Sequence, residues 1–193
     1  MLEETTQPAG EIDAHVVSPT IQDSIAICGS HPVTIAHAPF GQPNWLIYAC
    51  SPHNIEIRTL PRWDVWFEIH AEAVHKTRSY GYLRGLEAQA RAKEERGEKP
   101  VVWMRDKTAV PHFPGGVLYP EADMKQKFCR FLFTSSIAFM LALAIDDAEK
   151  SEGRIKTIGL YGILQSGGEH EYFKQRPGTQ YFLWEAAKRG IKV

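Results

Sequence analysis

Several polar clusters follow short apolar runs, and their residue types are those that bind phosphates or move protons. Cys28-Gly29-Ser30-His31-Pro32 comes after the run Ser24 to Cys28. A glycine turn there either presents the N–H groups around Gly29, Ser30 and His31 to a phosphate or closes as an ordinary tight turn. Cys50-Ser51-Pro52-His53-Asn54 comes after Trp45 to Cys50; Ser51 and Asn54 suit a base or a ribose, and equally a plain polar loop. Glu68 and His70 end the stretch PRWDVWFEIH, and at i and i+2 they share one face. Such a pair makes an acid–base couple or a charged pair at a sheet end. It lacks a third ligand, so no metal site is expected.

Two further clusters begin helices. Thr134, Ser135 and Ser136 stand in succession before IAFMLALAI, more hydroxyls than one cap requires, and the spare ones suit ribose or phosphate. The run IKTIGLYG opens into ILQSGGEHEYFKQRPGTQYF, a long polar loop. In it His170 can serve as a general base tuned by Glu169 or Glu171, and Tyr172 offers a hydroxyl. Lys174 and Arg176 can neutralise phosphate oxygens ahead of a helix start at Pro177-Gly178. The competing reading is a solvated loop whose charges serve solubility.

Elements that would position these groups are legible as punctuated apolar runs. Ser24 to Cys28, Trp45 to Cys50, Val65 to Ile69, Val101 to Met104 and Ile155 to Tyr161 are short, mostly non-alternating and bounded by Gly, Pro or Ser. That pattern predicts strands buried on both faces. Helices are expected over IAFMLALAIDDAEK, over Gly178 to Arg189, and, more polar and near the surface, over Tyr80 to Gly97. Strands alternating with helices predict an α/β fold, a Rossmann-like three-layer sandwich with a mostly parallel sheet. Gly190 to Val193 reads as the start of one more strand. In such a sheet ligands bind beyond the carboxyl ends of the strands, where the polar clusters fall.

The 193 residues suit one domain: an N-terminal arm over 1–23 and a single domain over 24–193. A composition of 44% hydrophobic and 23% charged residues excludes disordered and collagen-like chains. With 22 Lys plus Arg against 23 Asp plus Glu, the net charge of −1 gives no global attraction to nucleic acid or to an anionic membrane. The three cysteines, Cys28, Cys50 and Cys129, form no CxxC, so neither a disulfide framework nor structural zinc is indicated and a reducing cytoplasm is the expected location. No signal peptide, membrane segment or membrane partner is expected.

Taken together, CGSHP, IYACSP, PRWDVWFEIH, FTSSIAFMLALAI, IGLYG and EYFKQRPGTQYF resemble a group of small Rossmann-like proteins encoded by bacteriophages and prophages. That group is similar in motif order to bacterial sialyltransferases that use a CMP-activated sugar. The resemblance implies a transferase using a nucleotide-sugar donor; with no DxD motif in the chain, metal independence is expected, and no resident cofactor. It implies nucleotide contacts from Gly29 and Ser30, ribose or phosphate contacts from Ser135 and Ser136, a phosphate-contacting hydroxyl on Tyr172 and a base at His170. Ser51 stands where the family has an asparagine, and Ile163-Leu164-Gln165 where it has an acid. A phage context adds hydroxymethylated DNA as an acceptor, with Lys76 to Arg96 as its contact. The alternatives are a non-catalytic nucleotide-binding protein and an interaction protein whose terminal-helix aromatics form a subunit contact in a homo-oligomer.

Overall fold

The computed structural model describes residues 22–50, 60–70, 81–165 and 170–193, with the backbone alone at 81–82 and 170–172. Among them six strands form one sheet: β1 (Ser24–Cys28), β2 (Trp45–Cys50), β3 (Val65–Glu68), β4 (Val101–Met104), β5 (Gly116–Leu118) and β6 (Thr157–Tyr161). Their order is β5-β4-β3-β2-β1-β6, and every neighbouring pair is parallel. The helices are α1 (Pro32–Ile35), α2 (Gly81–Glu95), α3 (Glu121–Lys127), α4 (Ser136–Lys150) and α5 (His170–Lys188). The protein therefore has the α/β three-layer fold predicted from its sequence.

Burial on both faces explains why the strand sequences are nearly continuous apolar runs. Ile25, Ile27, Tyr48 and Phe67 share a core cluster with α4, whose residues from Ile137 to Asp146 are all buried. Successive residues alternate, so Ala26, Cys28, Ile47, Ala49, Trp66 and Val102 point the other way. There Leu86 and Ala90 of α2 pack with Trp63 and Trp66. α4 is apolar all round because it lies against β1, β2 and β3 while α5 packs on it. Aromatic rings bind the layers in a chain: Tyr48 to Phe67 at 5.1 Å, Tyr119 to Phe139 at 5.2 Å, Phe139 to Phe133 at 5.0 Å and Phe133 to Phe182 at 5.1 Å.

The winding reverses once. From β1 the chain moves outward to β5, then returns through α3 and α4 to β6 on the far side of β1. Right-handed crossovers travelling in opposite directions put their helices on opposite faces, as α2 and α4 are. At the amino edge Asp64 accepts from the Ile47 N–H at 2.7 Å, and Arg62 donates to the carbonyls of Phe40 and Gln42 at 3.3 and 3.1 Å and to that of Trp45.

Three elements depart from the sequence reading. β5 and α3 lie in a stretch without apolar periodicity and were not expected. The terminal helix starts at His170, so Lys174 and Arg176 sit on a helix and not in a long loop, and Pro177 falls inside it. Pro177 lacks the N–H that would reach the Phe173 carbonyl, but this stretch is held from outside. Thr134 Oγ1 donates to the Gln175 carbonyl at 3.2 Å, and Gln165 Nε2 donates to Thr179 Oγ1 at 3.0 Å. Gly178 admits the neighbouring strand of chain: a Cβ there would meet the Leu132 carbonyl oxygen at 2.3 Å. Lys192 bridges Thr157 in parallel, so the final residues do lie beside β6 as read.

Candidate functional site

The sheet order reverses at β1 and β6, and the crevice beyond their carboxyl ends is the topological switch point. Around it gather the turn after β1, the turn after β6 and the starts of α4 and α5, because both helices run back from that edge.

In the turn after β1, Gly29 and His31 use their N–H groups on the neighbouring chain. Gly29 donates to the Tyr161 carbonyl at 2.8 Å and His31 to the Gly162 carbonyl at 2.7 Å. Gly162, at φ 66°, donates to Thr34 Oγ1 at 2.9 Å. A Cβ on Gly29 would stand 2.5 Å from the Gly162 oxygen, and one on Gly162 would stand 2.7 Å from the Gly29 oxygen. Glycine is required here because two backbones touch. His31 brings to the same place a buried Nδ1 that has no hydrogen-bond partner among the described residues.

At the start of α4 the three hydroxyls divide their work. Ser135 is the cap and accepts from the Ala138 N–H at 3.3 Å. Thr134 is committed to α5, as described above. Ser136 makes no side-chain hydrogen bond among the described residues and stands in the first turn, where the N-terminal dipole is strongest. Ser51 and Asn54 lie outside the described residues, as do the side chains of His170 and Tyr172. The backbone places His170 and Tyr172 in the first turn of α5. Lys174 and Arg176 are exposed on the next turns.

Glu68 and His70 are brought together. Glu68 is fully buried, and its Oε1 lies 2.6 Å from His70 Nδ1 and accepts from the His70 N–H at 3.3 Å. The His70 side chain is 31% exposed. With Nδ1 held on the carboxyl group, Nε2 at the far side of the ring is turned away from Glu68, the geometry by which a carboxylate orients an imidazole. The burial of Glu68 also excludes water from competing for that contact.

Arg105, one residue beyond β4, belongs to the same edge and was missed in the sequence. It donates to Glu121 through Nε at 2.7 Å and Nη2 at 3.0 Å, and its guanidinium lies 5.2 Å from the centre of the Phe139 ring in α4. Although partial burial acts the other way, hydrogen bonds from Lys125 and Arg105 hold the Glu121 carboxyl below its ordinary range. Nη1 of Arg105 makes no hydrogen bond among the described residues. The signal available was its position: a cation directly after the apolar run Val101 to Met104.

The neighbouring thiols do not form a nucleophilic site. Burial, then the charge of Cys50, pushes the Cys28 thiol up to about 12; burial, then Glu68, does the same for Cys50. At such values neither is a thiolate near neutral pH. Among the described residues no three His, Cys, Asp or Glu side chains are grouped to hold a metal ion, and no helix is long and apolar enough to cross a membrane. On and just after α2, inside the stretch expected to meet DNA, Arg91 pairs with Glu87, and Lys93 and Arg96 share the Glu98 carboxylate. Comparison with protein-family models, curated proteins and solved structures finds no match to this chain.

Proposed function

We propose that the chain binds a nucleotide-activated sugar in the carboxyl-edge crevice and transfers the sugar to an acceptor hydroxyl, with His70, oriented by Glu68, as the general base. The single observation that carries this reading is the buried Glu68 carboxylate on His70 Nδ1.

In the proposed reaction the acceptor hydroxyl gives its proton to His70 Nε2 while its oxygen bonds to the anomeric carbon. The bond from that carbon to the donor phosphate breaks, and the electron pair leaves with the phosphate. The transition state carries oxocarbenium character on the sugar and growing charge on the phosphate. The start of α4 is suited to take up that charge, with the Nη1 donor that Arg105 keeps beyond its pair with Glu121. β3 lies two strands from β1, roughly 10 Å. A donor with its nucleotide at the switch point therefore reaches toward His70 with its sugar.

Thermal shifts with CMP, UMP, UDP, GDP, UDP-glucose and a CMP-sugar test the binding step, since a ligand at a hundred times its Kd stabilises by about 2.7 kcal/mol. The reading expects one base to be preferred. It expects His70→Ala to lower donor turnover about 10²- to 10⁴-fold with the nucleotide shift retained, and His170→Ala to do less. Absence of a shift with every ligand, or full turnover in His70→Ala, overturns it.

A further inference from the structure

We infer that the outer face of α5, together with the segment 129–134 beside it, is a docking surface for single-stranded nucleic acid. That segment runs along the helix: the Cys129 N–H donates to Tyr181 Oη at 3.0 Å, Thr134 bonds the Gln175 carbonyl at 3.2 Å, and Gly178 lies against the Leu132 carbonyl. Phe131 and Phe173 are 74% and 71% exposed, and Trp184 is 58% exposed. Phe173 and Trp184 are eleven residues apart, three helical turns, so they share one stripe about 16 Å long. Rings of this size left in water are uncommon on a protein surface and mark contact sites.

Charge decides which partner the stripe fits. No carboxylate occurs from Phe128 to Ala144 or from Tyr172 to Trp184. Arg130, Lys174 and Arg176 are exposed and form no ion pair among the described residues, whereas on α2 Arg91 is paired with Glu87 and Lys93 shares Glu98 with Arg96. In a chain of net charge −1 these three cations thus stand in a stretch without carboxylates where aromatic rings are exposed. Arg130 stacks on Phe131, with its guanidinium 4.8 Å from the ring centre. Unneutralised cations interleaved with exposed flat rings match a flexible strand of phosphates and bases: the cations hold the backbone and the rings stack the bases. A duplex hides its bases from such rings, so the surface favours single strands. This inference stands apart from the transferase reading, which uses none of these residues.

Fluorescence anisotropy of a labelled oligo(dT) of roughly 20 nucleotides, titrated with the full chain at several salt concentrations, tests it. Binding is expected to weaken with salt with a log–log slope of about −2, three phosphates neutralised at about 0.7 each. Phe131→Ala and Phe173→Ala, both at exposed positions, are each expected to weaken binding roughly five- to a hundredfold. Arg176→Gln is expected to reduce the slope by about 0.7. No anisotropy change at low salt, equal affinity for a duplex, or binding unchanged in all three variants overturns the inference. So does sedimentation with phosphatidylserine vesicles, or a dimer by light scattering, that Phe173→Ala abolishes while the oligonucleotide fails to bind.

Discussion

Replacing Gly29 by alanine separates two roles for the turn after β1. If its glycine exists so that a phosphate can approach, Gly29→Ala weakens nucleotide binding and leaves the free protein as stable as before. The structure predicts the opposite order of effects. The new Cβ would stand 2.5 Å from the Gly162 oxygen, and restoring ordinary van der Waals contact near 3.5 Å requires the two turns to part by roughly 1 Å. That movement carries the Gly29 N–H away from the Tyr161 carbonyl and the His31 N–H away from the Gly162 carbonyl, from 2.8 and 2.7 Å to beyond hydrogen-bonding range. Losing two such bonds costs about 2 kcal/mol, equivalent to a fall of about 4–8 °C in Tm for a chain of this size. Differential scanning calorimetry without ligand measures it directly. An unchanged Tm in Gly29→Ala would refute the argument that the two glycines exist for each other.

One further substitution and one labelling experiment test the core and the buried groups near the site. Tyr48 donates its hydroxyl to Asp147, and burial, then the charge of Asp146, raises the Asp147 carboxyl above its ordinary range although the Tyr48 hydrogen bond lowers it. A group raised on folding favours the folded state when protonated, and that contribution is lost as pH rises through its folded pKa. Tyr48→Phe removes the donor from the ionised carboxylate, so urea unfolding should show a loss of about 2 kcal/mol at neutral pH that shrinks as pH falls through the raised Asp147 value. A loss that is constant with pH would contradict the role of the pair. Cys28 and Cys50, with thiols held near 12, are expected to react with a thiol reagent at neutral pH only when the protein is unfolded, whereas the exposed Cys129 reacts in the native state. Mass spectrometry of the labelled native protein distinguishes them.

The comparison of sequence with structure is most instructive at particular residues. Short apolar runs ending in polar turns announced β1, β2, β3, β4 and β6, because a strand buried on both faces needs no alternation and little else in the chain has that pattern. That one of Thr134, Ser135 and Ser136 caps the helix was legible since capping is a local hydrogen bond between a side chain and an N–H a few residues on, and the structure makes it Ser135. Glu68 and His70 were legible as a pair because residues two apart on a strand must share a face. By contrast, the three residues of β5 carry no pattern, and their strand state comes from pairing with β4. The helical state of 170–177 runs against Pro177, and contacts from Thr134 and Gln165 override local preference there.

By itself the sequence determined which residues would line one edge of a parallel sheet, because the two-residue and 3.6-residue periods are local properties of the chain. Only tertiary structure decided what those residues do there. It put β6 beside β1, so that Gly29 serves Gly162 instead of standing open, and it set Arg105 on Phe139 beside the start of α4. It also paired Arg91 and Lys93 of α2 with carboxylates while leaving Lys174 and Arg176 of α5 without an ion pair among the described residues. Each of these depends on a contact between residues far apart in the chain, and such contacts are fixed by how the layers pack and not by the spacing of residues along one element.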